Sequence, residues 1–319
     1  MKKISKNAEK QLTEEEYRKY YYYLREIFEK SYVNNLSVKT RKRLHPLLLS
    51  VIKIRNRLNG YRLRILGDER SQTKQPIIYA VTHIGKADIE MASEVIKQHF
   101  YLLCGDFESL HDTLDGWFLG INGVLYFNEK NKEDRHNVKQ RMEIVLNEGG
   151  SVLYFPEGTW NLSPNLPLNR CYFGIIEVAY CANAIIVPIG IEQYGKQFIA
   201  KVGRNFDVKK YITSDTGLLH EDKVMAIRYL RDELATLKWD IWESVESLKR
   251  IQIPDNYFEK FIQDKIGEWP TLSLQDFTEA IYGNKETVST EEVFRPIREL
   301  DYKPETAFLF CKDLFRTAI

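Results

Sequence analysis

Pro76-Ile77-Ile78-Tyr79-Ala80-Val81-Thr82-His83-Ile84-Gly85-Lys86-Ala87-Asp88 is the stretch from which the fold of this chain is read. A short, uninterrupted apolar run predicts a strand buried on both faces, and this one ends in a cluster of polar residues. About seventy residues further on the pattern recurs: Ser151-Val152-Leu153-Tyr154-Phe155 leads into Pro156-Glu157-Gly158-Thr159. Open α/β sheets place their chemistry at the C-terminal ends of such strands.

Working outward, residues 61 to about 206 alternate between strand and helix patterns. Strands are expected at Tyr61–Leu66, Ile77–Val81, Phe100–Cys104, Val124–Phe127, Val152–Phe155, Ile185–Ile191 and Gln197–Val202. Helices are expected at Ile89–His99, Asp134–Asn147 and Gly174–Cys181. The alternation predicts an α/β fold with a mostly parallel, mixed sheet flanked by helices. Residues 1–60 read as a helical N-terminal segment. Thr13-x-x-Glu16 has the form of a capping box, and a second helical piece from Ser37 to about Leu58 is expected to break or kink at Pro46. After Thr216, the stripe Val224, Ile227, Leu230, Leu234, Leu237, Ile241, Val245 and Leu248 predicts a long helix with one buried face. The division expected is a helical segment 1–60, an α/β domain 61–250 and a C-terminal appendage 251–319, helical with a late strand near Ala307–Phe310.

Composition narrows the function classes. The chain has 319 residues, 44% hydrophobic and 29% charged, with a net charge of +1, which argues against nucleic-acid binding driven by overall charge. The four cysteines form no C-x-x-C pair, so neither a disulfide frame nor a zinc site is expected and no metal is called for. The N-terminus offers no signal-peptide core and no run of about eighteen apolar residues appears. A cytoplasmic protein is expected, at most peripheral on the cytoplasmic face of a membrane.

His83 and Asp88 carry the chemistry. Five residues on a regular helix turn about 140° past a full revolution, so the two side chains meet only if His83 sits in a loop and Asp88 in the first helical turn. Ile84-Gly85-Lys86 supplies that loop. A carboxylate bonded to one imidazole nitrogen fixes the tautomer and leaves the other nitrogen to take a proton from a hydroxyl.

His83-x-x-x-x-Asp88, then Phe155-Pro156-Glu157-Gly158-Thr159, then Val187-Pro188-Ile189 resembles, in order and spacing, the glycerolipid acyltransferase superfamily. Glycerol-3-phosphate and lysophosphatidic acid acyltransferases are among its members. The resemblance covers about Tyr61 to Tyr194 and the long helix beyond. It implies the glycerol-3-phosphate acyltransferase-like fold. His83 would be general base and Asp88 its orienting partner. An acyl thioester on coenzyme A or acyl carrier protein would be co-substrate, with no other cofactor. Glu157, Gly158 and Thr159 would help hold the acceptor, and Pro188 would line the acyl side. Backbone N–H groups near Glu157 or in the His83–Gly85 turn are the candidates for stabilising the oxyanion.

The chain also departs from that family. Members acting on phosphate-bearing acceptors have arginine after Glu-Gly-Thr, where this chain has Trp160. They have a second arginine in a stretch matched here by Gly123-Val124-Leu125-Tyr126-Phe127-Asn128-Glu129. A guanidinium fork is the natural phosphate ligand, and neither an indole nor a carboxylate replaces it. Lys86, Lys130 or Arg170 are candidates to compensate. Two acceptor classes therefore stay open: a lysophospholipid or related lipid, and a non-phosphorylated acceptor such as an amino-acid lipid or glycolipid. A non-catalytic lipid-binding module is the reading from another class. Several residues carry a plainer alternative: Glu157 as a capping or salt-bridge carboxylate, Lys86 as a solvated charge, Trp160 as a core or rim aromatic. Likewise, the Lys39–Arg43 cluster beside Leu47–Ile52 reads either as a docking face for an anionic membrane or as a basic-edged core helix.

Overall fold

A computed structural model describes residues 11–85, 87–161, 167–214 and 217–246. Their contacts group them into two compact units, each built from two stretches of chain: one from residues 1–51 and 97–153, the other from 52–96 and 154–319. The described residues carry seven strands, and four of the five strand pairings given in register are parallel. The α/β reading, mixed but mostly parallel and flanked by helices, holds.

In the first unit, α1 (Glu14–Phe28) starts at the expected capping box. The Thr13 hydroxyl accepts from Glu16 N–H, and the Glu16 carboxylate accepts in return from Thr13 N–H at 2.9 Å. A π-helical turn (Glu29–Val33) follows, then α2 (Val38–Leu58), which runs from this unit into the next. Pro46 lies inside α2, so the break that the sequence allowed there does not occur. Proline removes one ladder bond, and the turn before it is anchored elsewhere. The Arg41 guanidinium is fully buried and donates to the carbonyls of Gly120 at 2.7 Å, Tyr32 at 3.0 Å and Val33 at 2.5 Å, as well as to that of Ile121. Arg41 therefore does not belong to a basic surface, as the Lys39–Arg43 cluster had suggested.

Strands β3 (Tyr101–Cys104), β4 (Val124–Tyr126) and β5 (Ser151–Tyr154) run in the order β5-β3-β4, all parallel. Between β3 and β4 lie two helices absent from the sequence reading, α4 (Phe107–Leu110) and α5 (Leu114–Asn122). Two glycines obscure α5. A Cβ on Gly116 would fall 1.9 Å from the Leu110 carbonyl, so glycine is there for a close approach rather than as a helix breaker. Helix α6 (Lys132–Asn147) leads into β5.

The second unit holds β1 (Arg62–Asp68), β2 (Ile77–Val81), α3 (Asp88–Ile96), α7 (Gly174–Cys181), β6 (Ile185–Tyr194), β7 (Gln197–Val202) and α8 (His220–Glu246). Its strand order is β1-β7-β6-β2. Strand β2 pairs in parallel with β6, from Ile77 opposite Ile185 to Val81 opposite Ile189, while β6 and β7 form an antiparallel hairpin. The predicted stripe of α8 is core from Ile227 to Ile241: Ile227, Leu230, Leu234, Leu237 and Ile241 are buried with Trp239 and Trp242, while Val224 is half-buried and Val245 is exposed. Leu248 and the expected appendage 251–319, its late strand included, lie outside the described residues.

A buried ion pair ties α8 to β6. Lys238 Nζ lies 2.5 Å from Glu192 Oε2, which also accepts from the Trp242 indole N–H at 3.0 Å. A buried charge is tolerated only when paired and hydrogen-bonded, and Glu192 meets both conditions.

Candidate active site

Apart from Lys130, every candidate site residue among those described lies in the second unit. The strand β2 is prolonged by one residue: Thr82, fully buried, donates its N–H to the Ile189 carbonyl at 3.1 Å. Its hydroxyl accepts from Ile191 N–H at 2.9 Å and donates to the Ile191 carbonyl at 3.1 Å. A threonine side chain here completes the main-chain pairing with β6 just where the loop begins. The start of the loop is thereby fixed to the sheet.

His83 and Asp88 meet as their spacing requires, one in the loop after β2 and the other opening α3. His83 Nδ1 lies 2.6 Å from Asp88 Oδ2. The same oxygen accepts the N–H groups of Ile84 at 2.8 Å and Gly85 at 3.1 Å. Asp88 is 1% exposed, and the positive end of the α3 dipole favours its charge. The His83 side chain is 20% exposed. With Nδ1 engaged by Asp88, Nε2 is the nitrogen left for a substrate proton. The imidazole stacks on Phe155, centroids 4.2 Å apart and 16° between planes, and meets the edge of Trp160 at 6.3 Å. Aromatic surfaces thus hold the ring on two sides.

Glu157 is the second buried carboxylate beside the His83 loop. It is 2% exposed, and its two oxygens are turned to main chain: Oε1 accepts His83 N–H at 2.9 Å and Oε2 accepts Asn169 N–H at 2.8 Å. Burial pushes its pKa up to about 7, opposed by those two N–H groups and by the charge of Lys238. Asn161 N–H donates to the His83 carbonyl at 2.6 Å, and the Asn169 side chain reaches the Trp160 carbonyl at 3.4 Å. Asn161 and Asn169 were not singled out in the sequence, because nothing local marks a contact made across the fold.

Of the two places expected to supply oxyanion donors, the His83–Gly85 turn has its N–H groups engaged. The N–H groups of His83, Ile84 and Gly85 all donate to carboxylates, and that of Gly158 donates to the Phe155 carbonyl at 3.1 Å. An oxyanion would therefore find the His83–Gly85 turn already occupied.

The remaining sites are placed as follows. Gly158 has φ +69°, and a Cβ on it would fall 2.8 Å from the ring of Tyr172, so the turn requires glycine. Thr159 and Trp160 are half-buried beside it, and Arg170 is exposed just past Asn169. Pro188 is buried within β6 opposite Ala80, and its carbonyl accepts Gly203 N–H at 2.9 Å. Lys86 lies outside the described residues. Lys130 and the Gly123–Glu129 stretch belong to the first unit. There Arg25 is held by Asp134 at 2.5 Å and Glu29 at 3.1 Å.

Residues 62–192 match the family model described as Acyltransferase. Among solved structures, the fold is similar to that of the 1-acyl-sn-glycerophosphate (LPA) acyltransferase PlsC from Thermotoga maritima. The TM-score is 0.50 at 13% sequence identity, over 64% of this chain and 82% of that one. No curated protein sequence matches the chain.

Proposed function

We propose, from the match of residues 62–192 to the Acyltransferase family model, that the protein moves a fatty acyl group from a thioester to a lipid hydroxyl. The donor in this reading is acyl-CoA or acyl carrier protein, and the acceptor a lysophospholipid or related lipid. His83 Nε2 takes the proton of the acceptor hydroxyl as its oxygen attacks the thioester carbonyl carbon. The carboxylate of Asp88 stabilises the imidazolium that forms. The tetrahedral adduct collapses, the C–S bond breaks, and the departing thiolate takes the proton from His83. Ester and free thiol are the products, and no covalent enzyme intermediate is needed. The observation that carries this reading is the 2.6 Å contact between His83 Nδ1 and a buried Asp88.

Trp160, edge-on to His83 at 6.3 Å, favours a second reading of the acceptor as non-phosphorylated, an amino-acid lipid or a glycolipid. Release of free thiol, followed with a chromogenic disulfide over a panel of both acceptor classes, separates the two. Absence of turnover with every acceptor, together with unchanged lipid binding by His83→Ala, would instead favour a non-catalytic lipid-binding module.

The location proposed is the cytoplasmic face of an anionic membrane, with α2 as the contact. Among the described residues no helix is long and apolar enough to cross a membrane. Leu47, Val51, Ile54 and Leu58 recur at intervals of three and four and are 66%, 38%, 61% and 81% exposed. Asp and Glu are absent from the helix, while Lys53, Arg55 and Arg57 flank the stripe in the open. Apolar surface beside cations is the composition of a reversible membrane contact. In flotation assays the full chain is expected to rise with vesicles containing phosphatidylglycerol and to stay down with phosphatidylcholine alone. Lys53→Glu/Arg55→Glu/Arg57→Glu should stay down with both. Equal flotation of that variant would remove α2 from the proposal.

A further inference from the structure

We infer that Glu157 is a positioning residue for His83 and touches neither the acceptor nor the reacting atoms. The inference rests on the acyl-transfer reading and assigns the second motif a task within it. His83 is gripped by the loop 155–161 at both main-chain polar groups: its N–H by the Glu157 carboxylate at 2.9 Å, its carbonyl by Asn161 N–H at 2.6 Å. The ring is backed by Phe155 of the same loop at 4.2 Å. One loop therefore fixes the backbone and the ring plane of a histidine 74 positions earlier in the chain.

The loop is itself closed by Glu157. Its second oxygen holds Asn169 N–H at 2.8 Å, and Asn169 returns to the Trp160 carbonyl. Tyr172 N–H donates to the Pro156 carbonyl at 2.9 Å, placing the Tyr172 ring over Gly158. A carboxylate 2% exposed, with each oxygen turned to a backbone N–H, faces main chain rather than the opening by which a hydroxyl or headgroup would enter. Its influence on the reaction runs through the position of His83. The Nδ1 contact with Asp88 depends on that position, because the successive N–H groups of residues 83, 84 and 85 are set by Glu157 and Asp88 together.

Two kinds of role predict different kinetics. A residue that holds the acceptor acts on its KM, whereas one that positions the base acts on kcat. Glu157→Gln keeps the shape and one acceptor oxygen but sets an amide N–H against a backbone N–H. The expected result is a loss of about tenfold in kcat with acceptor KM within about twofold, on the scale that outer-shell orienting groups show. Glu157→Ala should lose about a hundredfold in kcat and again leave KM alone. Because the effect passes through His83, the double variant His83→Ala/Glu157→Ala should be no slower than His83→Ala alone. Melting curves accompany each variant; should Glu157→Ala fail to fold, the near-isosteric Glu157→Gln decides alone. A rise of tenfold or more in acceptor KM at unchanged kcat would overturn the inference, as would a further full loss in the His83→Ala background. Wild-type turnover in the same assay distinguishes that failure from failure of the acyl-transfer reading itself.

Discussion

Asp88 and Glu157 are both buried carboxylates of the second unit, 1% and 2% exposed, and each reaches the His83 loop. Asp88 gathers an imidazole nitrogen and two backbone N–H groups on a single oxygen, at the N-terminus of α3. Glu157 divides its oxygens between two main-chain segments, and its donors among the described residues are backbone N–H groups. The first carboxylate is wired to the atom that would change its protonation. The second is wired to the frame around that atom. A motif that reads as a binding turn can thus owe its carboxylate to architecture, with its chemical effect delivered at one remove.

Substitutions that treat the two carboxylates alike should expose the difference. Asp88→Asn is expected to have the larger effect. The amide oxygen can take over all three contacts of Oδ2, so the fold should hold while the charge that stabilises the imidazolium is lost. A fall in kcat of about a hundredfold is expected, within the range for general-base assistance. Steady-state thiol release beside a melting curve checks this. Loss of kcat no greater than that of Glu157→Gln would collapse the distinction.

Smaller, and visible in stability rather than rate, is the pH response of Glu157. Its folded pKa of about 7 lies above the ordinary 4.5, so between these values the folded state holds a proton that the unfolded chain has released. The stabilising contribution is therefore present at low pH and fades as pH rises through about 7, a total of about 3 kcal/mol. Denaturant melts from pH 5 to pH 8 should show wild type losing stability relative to Glu157→Gln over that interval. Parallel profiles would mean that the two backbone N–H groups and Lys238, rather than burial, govern this carboxylate.

How much of this was legible in the sequence follows from distance along the chain. His83 and Asp88 are five residues apart, and the apolar run before them, the glycine between them and the helix after them allow only one geometry in which they meet. The strands were read for the same local reason: Ile77–Val81 and Ile185–Ile191 are short apolar runs. What escaped was tertiary. The Glu157–His83 contact joins residues 74 apart, and the Asn161 contact is made by main chain, whose partner no side-chain pattern reveals. Helix α5 was hidden by Gly116, a residue placed for close approach to Leu110. At Pro46 the expected break is absent, in a helix whose preceding turn Arg41 anchors through carbonyls as distant as that of Gly120. The same burial withdrew Arg41 from the basic cluster to which its spacing had assigned it.

The central claim is that His83, held by Asp88, removes the acceptor proton in an acyl transfer. Its most direct measurement is acceptor-dependent thiol release from an acyl thioester by wild type and by His83→Ala, each shown to be folded by its melting curve. Turnover by wild type with at least one lipid acceptor, reduced about a thousandfold or more in the variant, is the result the account predicts. Equal rates for the two proteins, or thiol release that does not depend on any acceptor, would contradict it.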